Sequence, residues 1–98
     1  MAQRTIPVAL HKRMSLLSAV TSTGAGDAIF PPATSVSFQY AGITTATVKI
    51  QCTNDGTNWH DLDTVVANGV YTFTSPYYQI RANVTAYTAG TITVTMAW

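Results

Sequence analysis

The sequence predicts an all-β protein, an antiparallel β-sandwich of about seven short strands that follows an extended N-terminal arm. Apolar and polar residues alternate with a period of two along most of the chain after residue 34. Turn-forming residues recur roughly every ten residues, a spacing typical of sandwiches and barrels. No segment requires a helix of ordinary length.

The composition indicates one ordered domain with an uncharged polar surface. The chain has 98 residues, of which 47% are hydrophobic and 9% are charged, whereas charged residues make up roughly 25% of typical soluble domains. The net charge of +1 provides no field that would attract nucleic acid or an anionic membrane. No segment has the apolar length of a transmembrane helix or a signal peptide, so we expect the chain to be used without secretion.

Residues 1–13 form the predicted arm, and residues 14–98 form the predicted sandwich domain. Pro7 disfavours a helix in the arm, and three of the five basic residues of the chain lie there. Such an arm either contacts a partner or carries solvated charges. If it contacts a partner, the candidate contact residues are Arg4, Ile6, Pro7, Val8, Leu10, Lys12 and Arg13.

The first predicted strand is 14–22, although Leu16, Leu17 and Val20 would also fit a helical face. Two strands at 34–40 and 47–52 are predicted to pair as a hairpin around Gly42. A bulge is expected near His60 and Asp61, because Trp59 and Leu62 break the period of two. The remaining predicted strands are 59–66, 70–74, 78–85 and 91–98, with turns at 67–69 and 88–90. In the last of these strands the outward threonines create an uncharged face that a neighbouring subunit could cover.

The stretch 53–59 contains the strongest turn signal, Asn54-Asp55-Gly56, followed by Trp59. We expect the turn to set the strand pairing and Trp59 to lie in the core, so that its replacement by Ala would cost about 3–5 kcal/mol. The stretch also resembles the Asp-box hairpin of sialidase-type propellers, although Asp55 and Gly56 are adjacent here and the box is not repeated. That resemblance implies an aspartate that caps its own turn, with the tryptophan beneath it.

The sequence predicts no catalytic, cofactor-binding or metal-binding residues, and we expect the protein not to be an enzyme. It has no nucleophile elbow, P-loop or complete dinucleotide-binding motif. Cys52 is the only cysteine and is expected to be a buried free thiol. A weak Ca²⁺ site at Asp55, Asp61 and Asp63 is an alternative to exposed carboxylates at a strand edge.

Most aromatic residues are expected in the core, because a small sandwich needs large rings to fill it. Tyr77 and Tyr87 are out of phase with the strand alternation or lie in loops, so they are the candidates for exposed aromatic contacts. Exposed coplanar rings would indicate a carbohydrate-binding module.

Several segments together resemble small β-sandwich structural proteins from the virions of tailed bacteriophages. The resemblance covers nearly the whole chain after the arm, and each segment alone is common in β-proteins. The segments are LLSAVT at 16–21, TGAGD at 23–27, VSFQY at 36–40, ATVKI at 46–50, NDGTNW at 54–59, YQIRANV at 78–84 and TITV at 91–94.

The resemblance implies a non-enzymatic virion structural protein without a cofactor, most simply a capsid decoration or cement protein. Its expected partners are other virion subunits, above all the major capsid protein, and copies of itself, plausibly as a trimer. It implies no membrane partner and no sequence-specific binding of nucleic acid. The expected location is the virion, assembled in the host cytoplasm. The alternatives are a tail or neck accessory protein and a carbohydrate-binding domain of the virion.

Overall fold

The computed structural model describes residues 12–74 and 76–98, and this part of the chain is all-β, as predicted. Every pairing between strands is antiparallel. No helix of the described residues has the length and apolarity needed to cross a membrane. The strands are β1 Arg13–Val20, β2 Gly24–Ala25, β3 Ser35–Thr53, β4 His60–Val65, β5 Gly69–Thr74 and β6 Gln79–Ala97.

Two central strands, β3 and β6, have 19 residues each and pair with one another along nearly their whole length. On the other side of β6, β1 pairs with its C-terminal half and β2 with its N-terminal half. On the other side of β3, β5 pairs with the N-terminal half and β4 with the C-terminal half. All six strands therefore belong to one hydrogen-bonded sheet.

The predicted turns at Gly42 and at 88–90 are bends inside continuous strands, so the prediction of about seven short strands is wrong at both places. β3 continues through Gly42 and β6 continues through Gly90. Both glycines have positive φ, 77° and 125°, and the strand register shifts repeatedly between Ala41 and Val48. A glycine with positive φ serves a tight turn or a strand bend equally well, and the sequence pattern does not separate the two.

The core follows the predicted alternation along the long strands. Among the described residues, fifteen buried apolar side chains form one cluster. They include Phe38 and Ile50 from opposite halves of β3, both with no exposed surface. In β6, Ile80 and Met96 likewise come from opposite halves and are fully buried. The two halves of the sheet therefore share a single hydrophobic core.

The predicted bulge in β4 is present, at Leu62. Ile50 pairs with Asp63 and Gln51 with Asp61, so Leu62 is the extra residue. The bulge lies one residue beyond the predicted position.

Residues 66–68 carry the chain along the bend from β4 to β5. Val65 pairs with Val48, beyond the bend of β3, and Gly69 pairs with Tyr40, before it. The side-chain Oδ1 of Asn68 accepts a hydrogen bond from the backbone N–H of Ile43 at 2.9 Å. The predicted turn at 67–69 therefore connects two strands on the same edge of β3 and supports the bend.

Candidate functional site

The predicted arm lies mostly outside the described residues, so its partner contacts stay a prediction. Of the candidate contact residues, Lys12 and Arg13 are described, and both are exposed. The backbone of Lys12 exchanges two hydrogen bonds of 2.9 Å with Trp98, and Arg13 is the first residue of β1, opposite Ala97. Arg13 therefore belongs to the sheet and not to an arm, and Lys12 is held at its edge by hydrogen bonds. The other candidates lie outside the described ranges, and they are Arg4, Ile6, Pro7, Val8 and Leu10.

Tyr77 and Tyr87 are less exposed than predicted, because both are half-buried and pack against the core. The hydroxyl of Tyr87 donates a hydrogen bond of 2.6 Å to the backbone oxygen of Gly90. Strict alternation from Val84 would place Tyr87 on the outer side of β6. The register shifts at the bend place it on the inner side instead. The exposed rings are instead Phe30, Tyr78 and Tyr71, with 63%, 51% and 44% of their surfaces exposed.

Asp55 caps the hairpin between β3 and β4, as the Asp-box resemblance implies. Its Oδ1 accepts hydrogen bonds from the backbone N–H groups of Thr57 and Asn58, both at 2.8 Å, and from the Thr53 hydroxyl at 3.0 Å. Its Oδ2 accepts one from Asn58 Nδ2 at 2.7 Å. These bonds, led by the backbone N–H of Asn58, lower the pKa of Asp55 far below its ordinary value. The carboxylate is therefore committed to the turn.

Trp59 does not lie in the core, so that prediction is wrong. The side chain is half-buried but is absent from the hydrophobic cluster and from the residues packed against it. The guanidinium carbon of Arg81 lies 4.2 Å from the centroid of its ring, a cation–π geometry. A large apolar ring after a tight turn suggested burial, but the ring of Trp59 instead contacts the guanidinium of an outward arginine.

A polar network extends from Arg81 across the outer face of three neighbouring strands. Arg81 Nε and Asn83 Nδ2 both donate to Gln51 Oε1, at 2.9 and 3.3 Å. Gln51 Nε2 donates to Asp61 Oδ1 at 3.0 Å, and Lys49 Nζ forms a salt bridge with Asp61 Oδ2 at 2.8 Å. The hydrogen bond from Lys49, followed by that from Gln51, lowers the pKa of Asp61. The sequence pattern placed these residues outward but did not indicate that they converge.

The other half of the sheet has an outer face almost without charge, which we call the neutral face. Two rows of paired residues cross its four strands, β1, β6, β3 and β5. Arg13, at the border, is the only charged residue in these rows. The first row is Arg13, Ala97, Ser37 and Thr72, and the second is Ser15, Thr95, Gln39 and Val70.

A depression of about 290 Å³ lies at the base of the hairpin and includes Cys52, His60 and Tyr77 in its lining. Burial raises the pKa of the Cys52 thiol, which disfavours the nucleophilic thiolate. The nearby carboxylate of Asp55 is held by the turn. In the described part of the chain no three His, Cys, Asp or Glu side chains converge as metal ligands would.

The fold is similar to that of a solved structure over nearly the full length of both chains. The chain is similar to the SPBc2 prophage-derived protein YomS, known from a crystal structure, with a TM-score of 0.77 and 14% sequence identity. The likeness covers 99% of this chain and 97% of the other. At this identity the similarity shows the fold. No family model matches the chain, and no curated protein matches it.

Proposed function

We propose that the chain is a non-enzymatic structural protein of a bacteriophage particle, most simply a capsid decoration or cement protein. The observation that carries the proposal is the neutral face, which is four strands wide and nearly free of charge. The fold shared with a prophage-derived protein supports a phage origin. The commitment of Asp55 to its turn and the raised pKa of Cys52 support a structural role rather than a catalytic one.

As a decoration protein, the domain would act as a rigid β-sandwich made by folding one bent sheet upon itself. Gly26, hydrogen-bonded to Ala82 in one half of β6, lies so close to the Leu16 carbonyl of β1 that a Cβ could not fit. β1 pairs with the other half of β6. The smallest Cα extent is 17 Å, which accommodates two layers about 10 Å apart.

The neutral face suits docking because removing water from its hydroxyl, amide and methyl groups costs less free energy than removing water from charged side chains. Charged side chains are costly to desolvate and are depleted at the centres of interfaces. Four strands spaced about 4.8 Å apart and roughly six residues long cover about 400 Å². A standard interface buries about 800 Å² on each partner, so this face alone would bind one neighbour weakly.

Weak single contacts are adequate on a particle, where repetition of the same contact produces avidity. The proposed partners are other virion subunits, first the major capsid protein, and other copies of this chain, which would form trimers at symmetric lattice points. Residues 1–13 would add a second contact, for instance by strand addition to a neighbour. The protein would then reside in the virion.

The test is the occupancy of purified particles by a variant with a charge at the centre of the neutral face. Thr95 pairs with both Ser15 and Gln39, so Thr95→Lys would bury an unpaired charge in a docked face and should reduce occupancy strongly. Thr88→Lys, an exposed position at the bend, is the matched control and should leave occupancy unchanged. Equal occupancy for both variants would contradict docking through this face.

Copy number, counted by quantitative mass spectrometry of the same particles, tests the location. Hundreds of copies per particle would support capsid decoration. A handful would replace it with the tail or neck accessory alternative, and absence from particles would overturn the proposed function.

A further inference from the structure

We propose that Arg81 and Trp59 form a second binding site, which takes a carboxylate side chain of a partner protein flanked by apolar residues. The site lies in the half of the sheet formed by β2, β4 and the facing ends of β3 and β6, away from the neutral face. It does not depend on docking through that face or on a place in a phage particle.

Arg81 is held in one orientation before any ligand arrives. The ring of Trp59 contacts the guanidinium, whose central carbon lies 4.2 Å from the ring centroid, and Gln51 accepts the hydrogen bond from Nε. Gln51 is itself oriented by Asp61, which Lys49 holds from the other side. An arginine restrained in this way loses little side-chain entropy on binding.

The end of the guanidinium carries the donors that remain for a ligand. Arg81 donates its hydrogen bond to Gln51 from Nε. Among the described residues, none accepts a hydrogen bond from its two terminal amino groups, which are therefore available to a ligand. A carboxylate matches such a pair of donors with two parallel hydrogen bonds. The geometry therefore favours a planar acid over a single hydroxyl or carbonyl.

The charges of the site also favour an acidic ligand. Both oxygens of Asp61 are engaged, one by Lys49 and the other by Gln51. Arg81 has no hydrogen-bonded carboxylate among the described residues, so its charge is not balanced locally. A carboxylate from a partner would complete the ion pair.

Two exposed rings at the same end of the sheet favour a protein segment over an acidic sugar. Phe30 follows Ile29, which pairs with Ile80, the residue before Arg81. Phe30 and Tyr78, both largely exposed, meet edge to face with centroids 5.3 Å apart and planes at 69°. The backbone N–H of Tyr78 donates to Asn54 Oδ1 at 3.1 Å, which links this pair to the hairpin that leads to Trp59. Two perpendicular rings, and a Trp face covered by Arg81, provide no flat platform for a pyranose. They do provide apolar edges for side chains beside a carboxylate, and Trp, Tyr and Arg are enriched at the centres of protein interfaces.

The experiment is a selection from a soluble library of random seven-residue peptides, with the full chain and its Arg81→Gln variant as parallel baits. The wild type should enrich peptides in which Asp or Glu adjoins an apolar residue, and Arg81→Gln should not. Thr88→Gln, an exposed substitution at the bend and away from Arg81, should enrich the same peptides as the wild type. The absence of a difference between the wild type and Arg81→Gln would overturn the proposal.

The binding of an enriched peptide is then measured by fluorescence in the Trp98→Phe background, where Trp59 is the remaining tryptophan. Replacing the peptide carboxylate by its amide should weaken binding by roughly 10- to 100-fold, the loss of a charge-assisted pair. Arg81→Lys should weaken it similarly while keeping the charge. Polygalacturonate serves as the acidic sugar, and a Trp59 response to it but not to the peptide would overturn the assignment to a protein partner.

Discussion

Gly42 and Gly90 face each other where the two long strands bend, and each approaches the backbone of the opposite strand too closely to carry a side chain. A Cβ on Gly42 would collide with the carbonyl oxygen of Thr91, and a Cβ on Gly90 would collide with the carbonyl oxygen of Gly42. Both residues also have positive φ. The two halves of the sheet share one core only because the chain can bend here.

Gly42→Ala and Gly90→Ala should each destabilise the protein by about 2–4 kcal/mol, because strained φ and a backbone collision act together. Gly24→Ala is the matched control, since Gly24 also has positive φ, 143°, but nothing lies within 4 Å of its Cβ position. It should cost only about 1 kcal/mol. Urea unfolding followed by circular dichroism measures the stability of all three variants. A similar loss of stability in all three would mean that the backbone collisions at Gly42 and Gly90 contribute nothing.

Trp59→Ala should destabilise the fold far less than the replacement of a core ring. Trp59 lies outside the hydrophobic cluster, whereas Phe38 is fully buried within it. We expect Phe38→Ala to cost about 3–5 kcal/mol and Trp59→Ala about 1 kcal/mol, the usual size of a cation–π contact and partial burial. An equal decrease in the free energy of unfolding for both variants, measured in urea, would show that Trp59 belongs to the core.

Acid should weaken the hairpin through Asp55. The lowered pKa of Asp55 in the folded state means that its stabilising effect is complete above the unfolded value, about pH 3.9, and disappears as the pH falls towards the folded value. Asp55→Asn should therefore flatten the dependence of the free energy of unfolding on pH below about pH 4. Asp27→Asn removes an exposed carboxylate outside the hairpin, and a flattening as large in that variant would argue against this role for Asp55.

Cys52 should react slowly with iodoacetamide in the native protein. Burial raises the pKa of its thiol, so less of the reactive thiolate exists at a given pH. The rate should increase when the protein is unfolded in urea, and the midpoint of the native pH–rate curve should lie above that of the unfolded chain. A native midpoint below the unfolded one would indicate an activated thiol.

Removal of residues 1–11 should leave a folded domain that no longer occupies particles, if the arm contributes to docking. The deletion stops at residue 11 because Lys12 exchanges two backbone hydrogen bonds with Trp98. Melting by circular dichroism checks the fold, and particle occupancy checks the contact. If the truncated chain is folded and still occupies particles normally, the arm does not contribute to docking.

Much of the fold follows from local sequence because strand character and turn chemistry are local properties. The alternation of residues around Phe38 and Val94 predicted which side is buried, and the structure confirms it. Asp55 caps its turn through bonds that span at most three residues. The uncharged outer face was visible as alternating threonines, because side chains in a strand point to opposite sides in turn.

The direction of the chain at Gly42 and Gly90, and the surroundings of Trp59, depend on the tertiary structure. Whether a glycine reverses a strand or bends it depends on the partner strand, here the backbone of Thr91 and Thr44. Trp59 lies outside the core, and its ring is in contact with Arg81, which is 22 positions later in the chain. The sequence by itself determined the all-β class, the capped hairpin and the buried side of β3 and β6 outside the bend. Only the packing of distant segments decided that four predicted strands are two, and that the tryptophan belongs to the surface.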